Sequence, residues 1–222
     1  MEIVRDQHVF FVPLEKRIDE REDYYASMMG ALTDHCALLT AALMRLPAQA
    51  TVLTEMALRL VQTLQSGRKV LVAGNGGSAA EAQHFAAELV GRFKRERAPY
   101  PVIALTTDTA ILTAVANDYG YQDVFARQVQ ALGCPDDMLT VFSTSGESEN
   151  LLRAVQAGRS RGMFITALVG ERQCRLARVA DLTIQVPEVE TSIIQELHTI
   201  VVHLLCDLVE EHLATTERQN CL

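Results

Sequence analysis

The sequence predicts an α/β protein: a doubly wound, flavodoxin-like parallel sheet with an N-terminal helical extension. Three observations support this fold class. Short, almost wholly apolar segments alternate with longer helical patterns, which is typical of strands buried on both faces of a parallel sheet. Two of these segments run directly into a glycine-rich or a serine-rich loop that precedes a helix. The first 67 residues contain helical patterns and no strand-like run.

The predicted helical extension covers residues 1–67. Apolar residues recur at helical spacing in two stretches, and the second ends at Gly67, a plausible helix stop. Two helices without a strand cannot close a core by themselves. They are therefore expected to pack on the rest of the protein or on another subunit.

Residues 68–222 are predicted to form one α/β domain. Each strand-like run is followed by a loop, and a helical pattern follows most of them. The last helix is expected from about Glu190 to His212. The predicted strands cover residues 69–73, 100–105, 138–142, 164–169 and 182–186.

Composition narrows the class of protein. The 222 residues are 49% apolar, which is enough for one ordinary domain. The 20 basic and 28 acidic residues give a net charge of −8, which opposes non-specific binding to nucleic acid or to an anionic membrane. No unbroken apolar run reaches the roughly 18 residues of a membrane helix. The charge therefore predicts no nucleic-acid or membrane partner. The five scattered cysteines never form a CxxC pair, so we expect reduced thiols and a cytoplasmic protein.

The first unusual loop runs from Gly74 to Ala80. Its glycines allow close approach of the backbone to a ligand, and Ser78 is expected to cap the following helix, whose N–H groups can face an anion. A tight strand-to-helix turn explains the loop equally well. The pattern also satisfies the GxGxxA motif of dinucleotide-binding folds, but no acidic residue ends a strand about 20 residues later to bind a ribose.

The second loop, Ser143 to Ser148, holds four hydroxyl groups and a glycine between a buried strand and a helix. A helix cap needs only one hydroxyl. Several short donors beside a helix N-terminus suit a phosphate monoester, so this loop is predicted to bind phosphate.

Helical spacing brings further candidates together. His84 and Glu88 are four residues apart and share one helical face. Gln195 and His203 are eight apart, about 80° around a helix axis, and can converge on one point if the helix is tilted. Spacing alone favours a surface hydrogen bond for the first pair and a core histidine for the second. The other histidines, His8, His35, His198 and His212, are assigned no function.

Six motifs in order together resemble the sedoheptulose 7-phosphate isomerases, or phosphoheptose isomerases, of the sugar-isomerase (SIS) domain superfamily. The resemblance covers about residues 50–214. The motifs are Gly74-Asn-Gly-Gly-Ser78, Gln83-His-Phe-Ala-Ala-Glu88, Gly91-Arg92-Phe93, Ala116-Asn-Asp-Tyr-Gly120, Ser143-Thr-Ser-Gly146 and Gln195-Glu-Leu-His198 with His203.

The resemblance implies a metal site, a substrate site and an assembly. One divalent metal, typically zinc, is expected on His84, Glu88, Gln195 and His203. The expected partner is a small sugar phosphate, in a homotetramer whose active sites lie at subunit interfaces. The resemblance thus implies that residues 1–67 serve in oligomerisation. The substrate-binding residues it implies are Asn75, Gly76, Gly77, Ser78, Glu88, Arg92, Asn117, Asp118, Ser143, Thr144, Ser145, Ser148 and Gln195.

The implied reaction converts sedoheptulose 7-phosphate to D-glycero-D-manno-heptose 7-phosphate, an aldose–ketose isomerisation through a cis-enediol. Glu88 is expected to act as the base, and His203 as the second acid/base, because imidazole titrates in a suitable range. A metal with nitrogen and oxygen ligands can polarise the carbonyl.

The sequence departs from the family pattern at several points. Glu147 stands where asparagine is usual and Glu149 follows nearby, so two carboxylates oppose a phosphate unless they turn outward or pair with a cation. Ile193 replaces a usual arginine. The usual glycine pair after Val169 gives way to residues 171–174, and residues 1–25 look like an addition.

A non-catalytic protein is the alternative reading. A close paralogue, the DnaA initiator-associating protein, shares most of the motifs, and a sugar-phosphate sensor would need only the phosphate loop. The paralogue lacks a histidine at the position of His203, whereas this chain retains all four residues that match the metal ligands. A binding protein has no need of a base and a metal, so the sequence favours the enzyme.

Overall fold

A computed structural model describes residues 14–220, with side chains from residue 20 to residue 214. The chain divides into two compact units, one up to Ala41 and one from Ala42 onward. The helices are α1 (Leu14–Arg45), α2 (Ala50–Gln65), α3 (Gly77–Val90), α4 (Thr109–Tyr119), α5 (Ala126–Leu132), α6 (Glu149–Ser160), α7 (Arg175–Val179) and α8 (Thr191–Asn220). The strands are β1 (Val70–Gly74), β2 (Val102–Ala104), β3 (Met138–Ser143), β4 (Phe164–Val169) and β5 (Leu182–Gln185).

The five strands form one parallel sheet in the order β2-β1-β3-β4-β5. This is the predicted flavodoxin-like order. Strands β1 and β3 are buried along their whole length, as their apolar sequences predicted. The predicted fold class is therefore confirmed, and each predicted strand lies within two residues of its observed bounds.

The order of the strands switches at β1. Strand β2 lies on one side of β1, and β3, which follows β2 in the sequence, lies on the other side. Gly74 pairs with Phe142 in the register of these strands, so the loops that follow them emerge side by side. Ligands of open α/β sheets bind at this kind of crevice. The glycine-rich and serine-rich loops thus meet at one place.

Helices α3 and α8 pack against each other, and α2 packs on α8. Leu60 of α2, Phe85 of α3 and Leu197 of α8 are fully buried. Helix α2 therefore belongs to the same compact unit as the sheet. The oligomerisation role predicted for residues 1–67 stays a prediction.

Two helical stretches, Glu20–Gln65 and Thr191–Ala214, are long and apolar enough to cross a membrane by length and composition. These stretches are not unbroken apolar runs of the kind considered in the sequence analysis, because charged side chains lie within them. In Thr191–Ala214, half of the most apolar segment is buried inside the fold. A core helix of a soluble protein has the same properties.

Candidate functional site

The β1–α3 loop turns sharply at Gly74 and Gly76. A Cβ on Gly74 would clash with the Ser78 carbonyl, and Gly76 has a positive φ of 57°. Helix α3 begins at Gly77, with Gly76 as its N-cap and no capping side chain. The expectation that Ser78 caps this helix is therefore wrong. Ser78 lies inside the first turn and is buried, so its hydroxyl is past the cap position.

Two of the four hydroxyls in the serine-rich loop accept hydrogen bonds from backbone amides of the loop, and the other two do not. Ser143 Oγ accepts a hydrogen bond from the Gly146 amide at 3.0 Å, and Ser145 Oγ accepts one from the Glu147 amide at 3.3 Å. Ser148 is the N-cap residue of α6, but its side chain makes no capping bond. In the described part of the chain, the hydroxyls of Thr144 and Ser148 have no protein partner. They remain available to a ligand.

Asn75 and Asn150 join the two loops through a reciprocal amide pair. Each side chain donates to the other, at 2.9 and 2.8 Å, and Asn150 is buried at the start of α6. Tyr121 Oη donates to Asn75 Oδ1 at 3.0 Å. Sequence reasoning singled out Asn75 and missed its two partners. An asparagine two residues after the hydroxyl-rich loop was the available signal for Asn150, whereas no sequence pattern indicated Tyr121.

The centre of the candidate site is formed by His84, Glu88 and His203. His84 Nε2 lies 2.8 Å from His203 Nε2 and 3.6 Å from Glu88 Oε1. One ligand atom from each of the three residues lies within 4.8 Å of the others. Helix α3 supplies the first two residues and α8 supplies the third, so the predicted convergence of two distant helices occurs. The His84 side chain is 40% exposed and that of Glu88 is 22% exposed, so the group is reachable from solvent.

This donor set fits a zinc ion. Zinc prefers imidazole nitrogen and carboxylate oxygen, and two nitrogens on one tetrahedral ion lie roughly 3.3 Å apart. The two Nε2 atoms, 2.8 Å apart, would have to separate by only about half an ångström. Among the described residues, no other group of three histidine, cysteine or acidic side chains has this spacing.

Gln195, the predicted fourth ligand, lies on the first turns of α8 with its amide against the Cα of Gly77. Any Cβ at position 77 would clash with this amide. The glycine of the first loop thus makes room for a predicted ligand from the last helix. The role of Gln195 in binding metal stays a prediction.

Three more predicted substrate residues lie at the surface. Arg92 follows α3 and faces Glu96 at 3.8 Å. Asn117 and Asp118 lie in the last turn of α4, where the Asn117 amide donates to Asp118 Oδ1 at 2.8 Å. Their contact with substrate stays a prediction.

The two carboxylates that depart from the family pattern are both engaged away from the hydroxyls. Glu147 Oε1 accepts a hydrogen bond from the Arg175 amide at 2.8 Å. Glu149 pairs with the Arg175 guanidinium at 3.0 Å and with Arg153 at 3.6 Å. Pairing with cations and an amide offsets the repulsion that these carboxylates would exert on a phosphate.

The other departures pack inside the fold or bind neighbouring side chains. Ile193 is fully buried, so this position holds a core side chain. Glu171 forms an ion pair with Arg45. Cys174 fills the space beside Gly146, where a Cβ would clash with its sulfur.

His198, which was assigned no function, belongs to α8 and is fully buried where this helix packs on α3. Its Nδ1 lies 3.4 Å from Glu81 Oε2, and its ring meets Phe142 edge to face. It belongs to the packing beneath the site.

Comparison with known proteins supports the family resemblance seen in the sequence motifs. A sequence model of the SIS domain matches residues 35–170. The phosphoheptose isomerase of Rhodospirillum rubrum is 48% identical over 180 residues, which is 81% of this chain and 96% of that protein.

Solved structures agree. A phosphoheptose isomerase from Francisella tularensis superposes with a TM-score of 0.78 at 37% identity, covering 82% of this chain and 98% of that one. One from Neisseria gonorrhoeae superposes with a TM-score of 0.78 at 38% identity, covering 83% and 99%. The chain therefore belongs to the phosphoheptose isomerase family of SIS-domain proteins, and it is an isomerase.

Proposed function

We propose that this protein converts sedoheptulose 7-phosphate to D-glycero-D-manno-heptose 7-phosphate. The observation that carries the proposal is the convergence of His84, Glu88 and His203 within 4.8 Å of one another. A carboxylate and an imidazole at this separation can both reach adjacent carbon and oxygen atoms of one sugar. The curated relatives that bear the name phosphoheptose isomerase support the choice of substrate.

Glu88 takes the proton from C1 of the ketose, and the electron pair forms the C1–C2 double bond of a cis-enediol. Its carboxylate comes from one face of α3 and is partly exposed, so it can meet the substrate. The proton then returns at C2, while the proton on the C1 oxygen leaves and the C2 oxygen gains one. His203 relays these oxygen protons, because a neutral imidazole both accepts and donates.

His84, Glu88, Gln195 and His203 would hold one zinc ion. When bound, the ion polarises the substrate carbonyl and stabilises negative charge on its oxygen. Glu88 is both ligand and base in this scheme, and metal binding lowers the basicity of a carboxylate. Glu88 would therefore act as the base only while its carboxylate is not bound to the ion.

The phosphate lies at the serine-rich loop and the sugar lies over the glycine-rich loop. The Thr144 and Ser148 hydroxyls and the N-terminus of α6 supply donors to the phosphate. Ser143 and Ser145 accept hydrogen bonds from amides of the loop, and their own O–H groups can still donate to the phosphate. The polyol chain of the sugar contacts Asn75, and the sugar extends toward the zinc ligands.

The working protein is proposed to be a cytoplasmic homotetramer with active sites shared between subunits. Apolar side chains exposed along α1, including Tyr24, Met28 and Leu32, would be covered in such an assembly.

The decisive experiment incubates the purified protein with sedoheptulose 7-phosphate and follows both sugars by NMR with mass balance. Parallel samples contain a chelator, or a chelator followed by excess zinc. We expect aldose to form, to stop forming with the chelator and to form again with zinc. Absence of aldose at every zinc concentration would refute the proposed reaction, whereas turnover that is insensitive to the chelator would refute only the metal.

A further inference from the structure

The loop that follows α3 places an aromatic ring on one ligand of the candidate zinc site. The ring of Phe93 stacks on the imidazole of His203, with 5.3 Å between the ring centres and 21° between the planes. The His84 ring meets the same imidazole at 70°. His203 is thus bounded by Phe93 on its face and by His84 at its Nε2 edge.

The second nitrogen of His203 lacks the support that such a ligand normally has. A metal-binding histidine usually donates its other N–H to a carboxylate or a carbonyl, and this bond fixes the orientation of the ring. In the described part of the chain, Nδ1 of His203 makes no hydrogen bond. Stacking on Phe93 is therefore the observed contact with the face of this imidazole, and it can fix the plane of the ring.

Phe93 is itself held by α8, the helix that carries His203. The carboxylate of Glu210 is fully buried and accepts hydrogen bonds from the backbone amides of Phe93 at 2.7 Å, Lys94 at 2.8 Å and Arg95 at 3.0 Å. Asp207 adds ion pairs to Lys94 at 2.8 Å and Arg95 at 2.6 Å. Glu210 and Asp207 lie two turns and one turn beyond His203, so the same helix holds the ligand and the loop that covers it.

Arg97 extends this arrangement to α3. Its guanidinium lies 3.1 Å from Glu210 Oε1, and neither side chain is exposed. It also donates to the carbonyls of Glu88 and Leu89, both at 2.8 Å, in the last turn of α3. One buried ion pair therefore connects the backbone of Glu88 with the loop that carries Phe93.

We propose that Phe93 is a positioning residue for the metal site: its ring, held in place by the Glu210–Arg97 pair, fixes the His203 imidazole so that Nε2 faces His84 and Glu88. The stacked ring takes the place of the missing hydrogen bond at Nδ1. This inference rests on the zinc site of the proposed function.

The test compares zinc affinity in three variants. Phe93→Leu removes the stacking ring, and Phe93→Tyr restores it. Phe164→Leu is the matched control, because Phe164 is also partly buried and contacts a cation, Arg59, at 4.5 Å. Phe164 is the first residue of β4, so it lies at the amino-terminal end of the parallel strands, away from the loops of the candidate site. Metal-free protein is titrated with zinc in competition with a coloured chelator of known affinity, and the thermal midpoint of each metal-free variant is recorded.

We expect Phe93→Leu to weaken zinc binding by about 10- to 100-fold, the usual effect of losing a contact that orients a ligand. Phe93→Tyr and Phe164→Leu should stay within about threefold of the wild type. If Phe93→Leu binds zinc as tightly as Phe164→Leu while both lose thermal stability, the ring is only packing and the inference is wrong. Failure of the wild-type protein to bind zinc would instead refute the metal site of the proposed function, and the inference with it.

Discussion

At the scale of single residues, the position of Glu88 says most about the candidate centre. It lies four residues after His84 on α3, and the two side chains approach to 3.6 Å. Such pairs are common on helix surfaces and have little effect by themselves. The approach of His203 from α8 to 2.8 Å from His84 turns this ordinary pair into a candidate centre.

We predict that Glu88→Gln lowers kcat by about 10²- to 10⁴-fold, because amide oxygen cannot accept the substrate proton. Steady-state isomerisation of sedoheptulose 7-phosphate measures this. Glu55→Gln on α2 is the matched control, since Glu55 also lies four residues from its side-chain partner, Arg59 at 3.6 Å. Wild-type turnover by Glu88→Gln with metal still bound would show that another group is the base.

Glu210 is the second informative residue. Burial by itself raises the pKa of this carboxyl, but three backbone N–H donors and Arg97 outweigh it, so the pKa of Glu210 is lowered from its ordinary value of 4.5. A carboxyl with a depressed pKa in the folded state stabilises the protein at pH values above its unfolded pKa. That stabilisation is lost as pH falls through the folded pKa.

Accordingly, Glu210→Gln should lower the free energy of unfolding at neutral pH by about 3 kcal/mol, because it leaves the Arg97 charge buried without its partner. The difference from wild type should narrow as pH falls below about 4.5, because the carboxyl of the unfolded wild-type chain then takes up a proton, whereas the folded one, with its lowered pKa, does so only at lower pH. Urea unfolding over a pH series measures both effects. A difference that is constant down to the acid limit would contradict the role assigned to the ionised carboxylate.

At the scale of secondary-structure elements, two helices begin in contrasting ways. Asp108 caps α4 in the usual manner, since its side chain accepts a hydrogen bond from the Ile111 amide at 2.9 Å. Ser148 stands at the same position of α6 and makes no such bond. The helix beside the phosphate loop therefore keeps its cap hydroxyl free.

This contrast predicts opposite effects of two alanine variants. Ser148→Ala should raise KM roughly tenfold, because a hydrogen bond to a charged phosphate is lost, and should leave stability nearly unchanged. Asp108→Ala should cost about 1 kcal/mol of stability and leave KM unchanged. Steady-state kinetics and urea unfolding of both variants check the pair. A loss of stability without a change in KM for Ser148→Ala would mean that its hydroxyl serves the fold.

At the scale of the whole molecule, α1 carries apolar side chains that are exposed in the described part of the chain. Tyr24, Met28 and Leu32 follow one another at four-residue spacing and are 77%, 67% and 53% exposed. Such a stripe on one face is typical of a helix that packs against a partner. A second copy of the chain is the partner that the proposed tetramer supplies.

If the protein is the proposed tetramer, the double variant Met28→Glu/Leu32→Glu should convert it into smaller species, because burying two carboxylates in an apolar interface is unfavourable. Light scattering coupled to gel filtration measures the mass. Ala26→Glu is the control, since residue 26 lies about 200° around the helix from residue 28. An unchanged tetramer in the double variant would exclude this face from the interface.

The sequence by itself determined the sheet, the order of its elements and the two loops at its carboxyl edge. Apolar runs such as Phe164–Val169 are nearly unambiguous, because a strand covered on both faces needs no polar residue. The matched motifs also predicted the residues of the candidate centre, since His84 and Glu88 share a face by local spacing alone.

Only the tertiary structure decided which distant groups meet. The stacking of Phe93 on His203, the Glu210 carboxylate beneath the loop, and the pairing of Asn75 with Asn150 join residues that lie far apart along the chain. No periodicity encodes such contacts, because they depend on how α3, α6 and α8 pack around the sheet. The cap position of Ser78 was wrongly predicted for a related reason: the turn at Gly76 starts the helix two residues earlier than a Ser78 cap would.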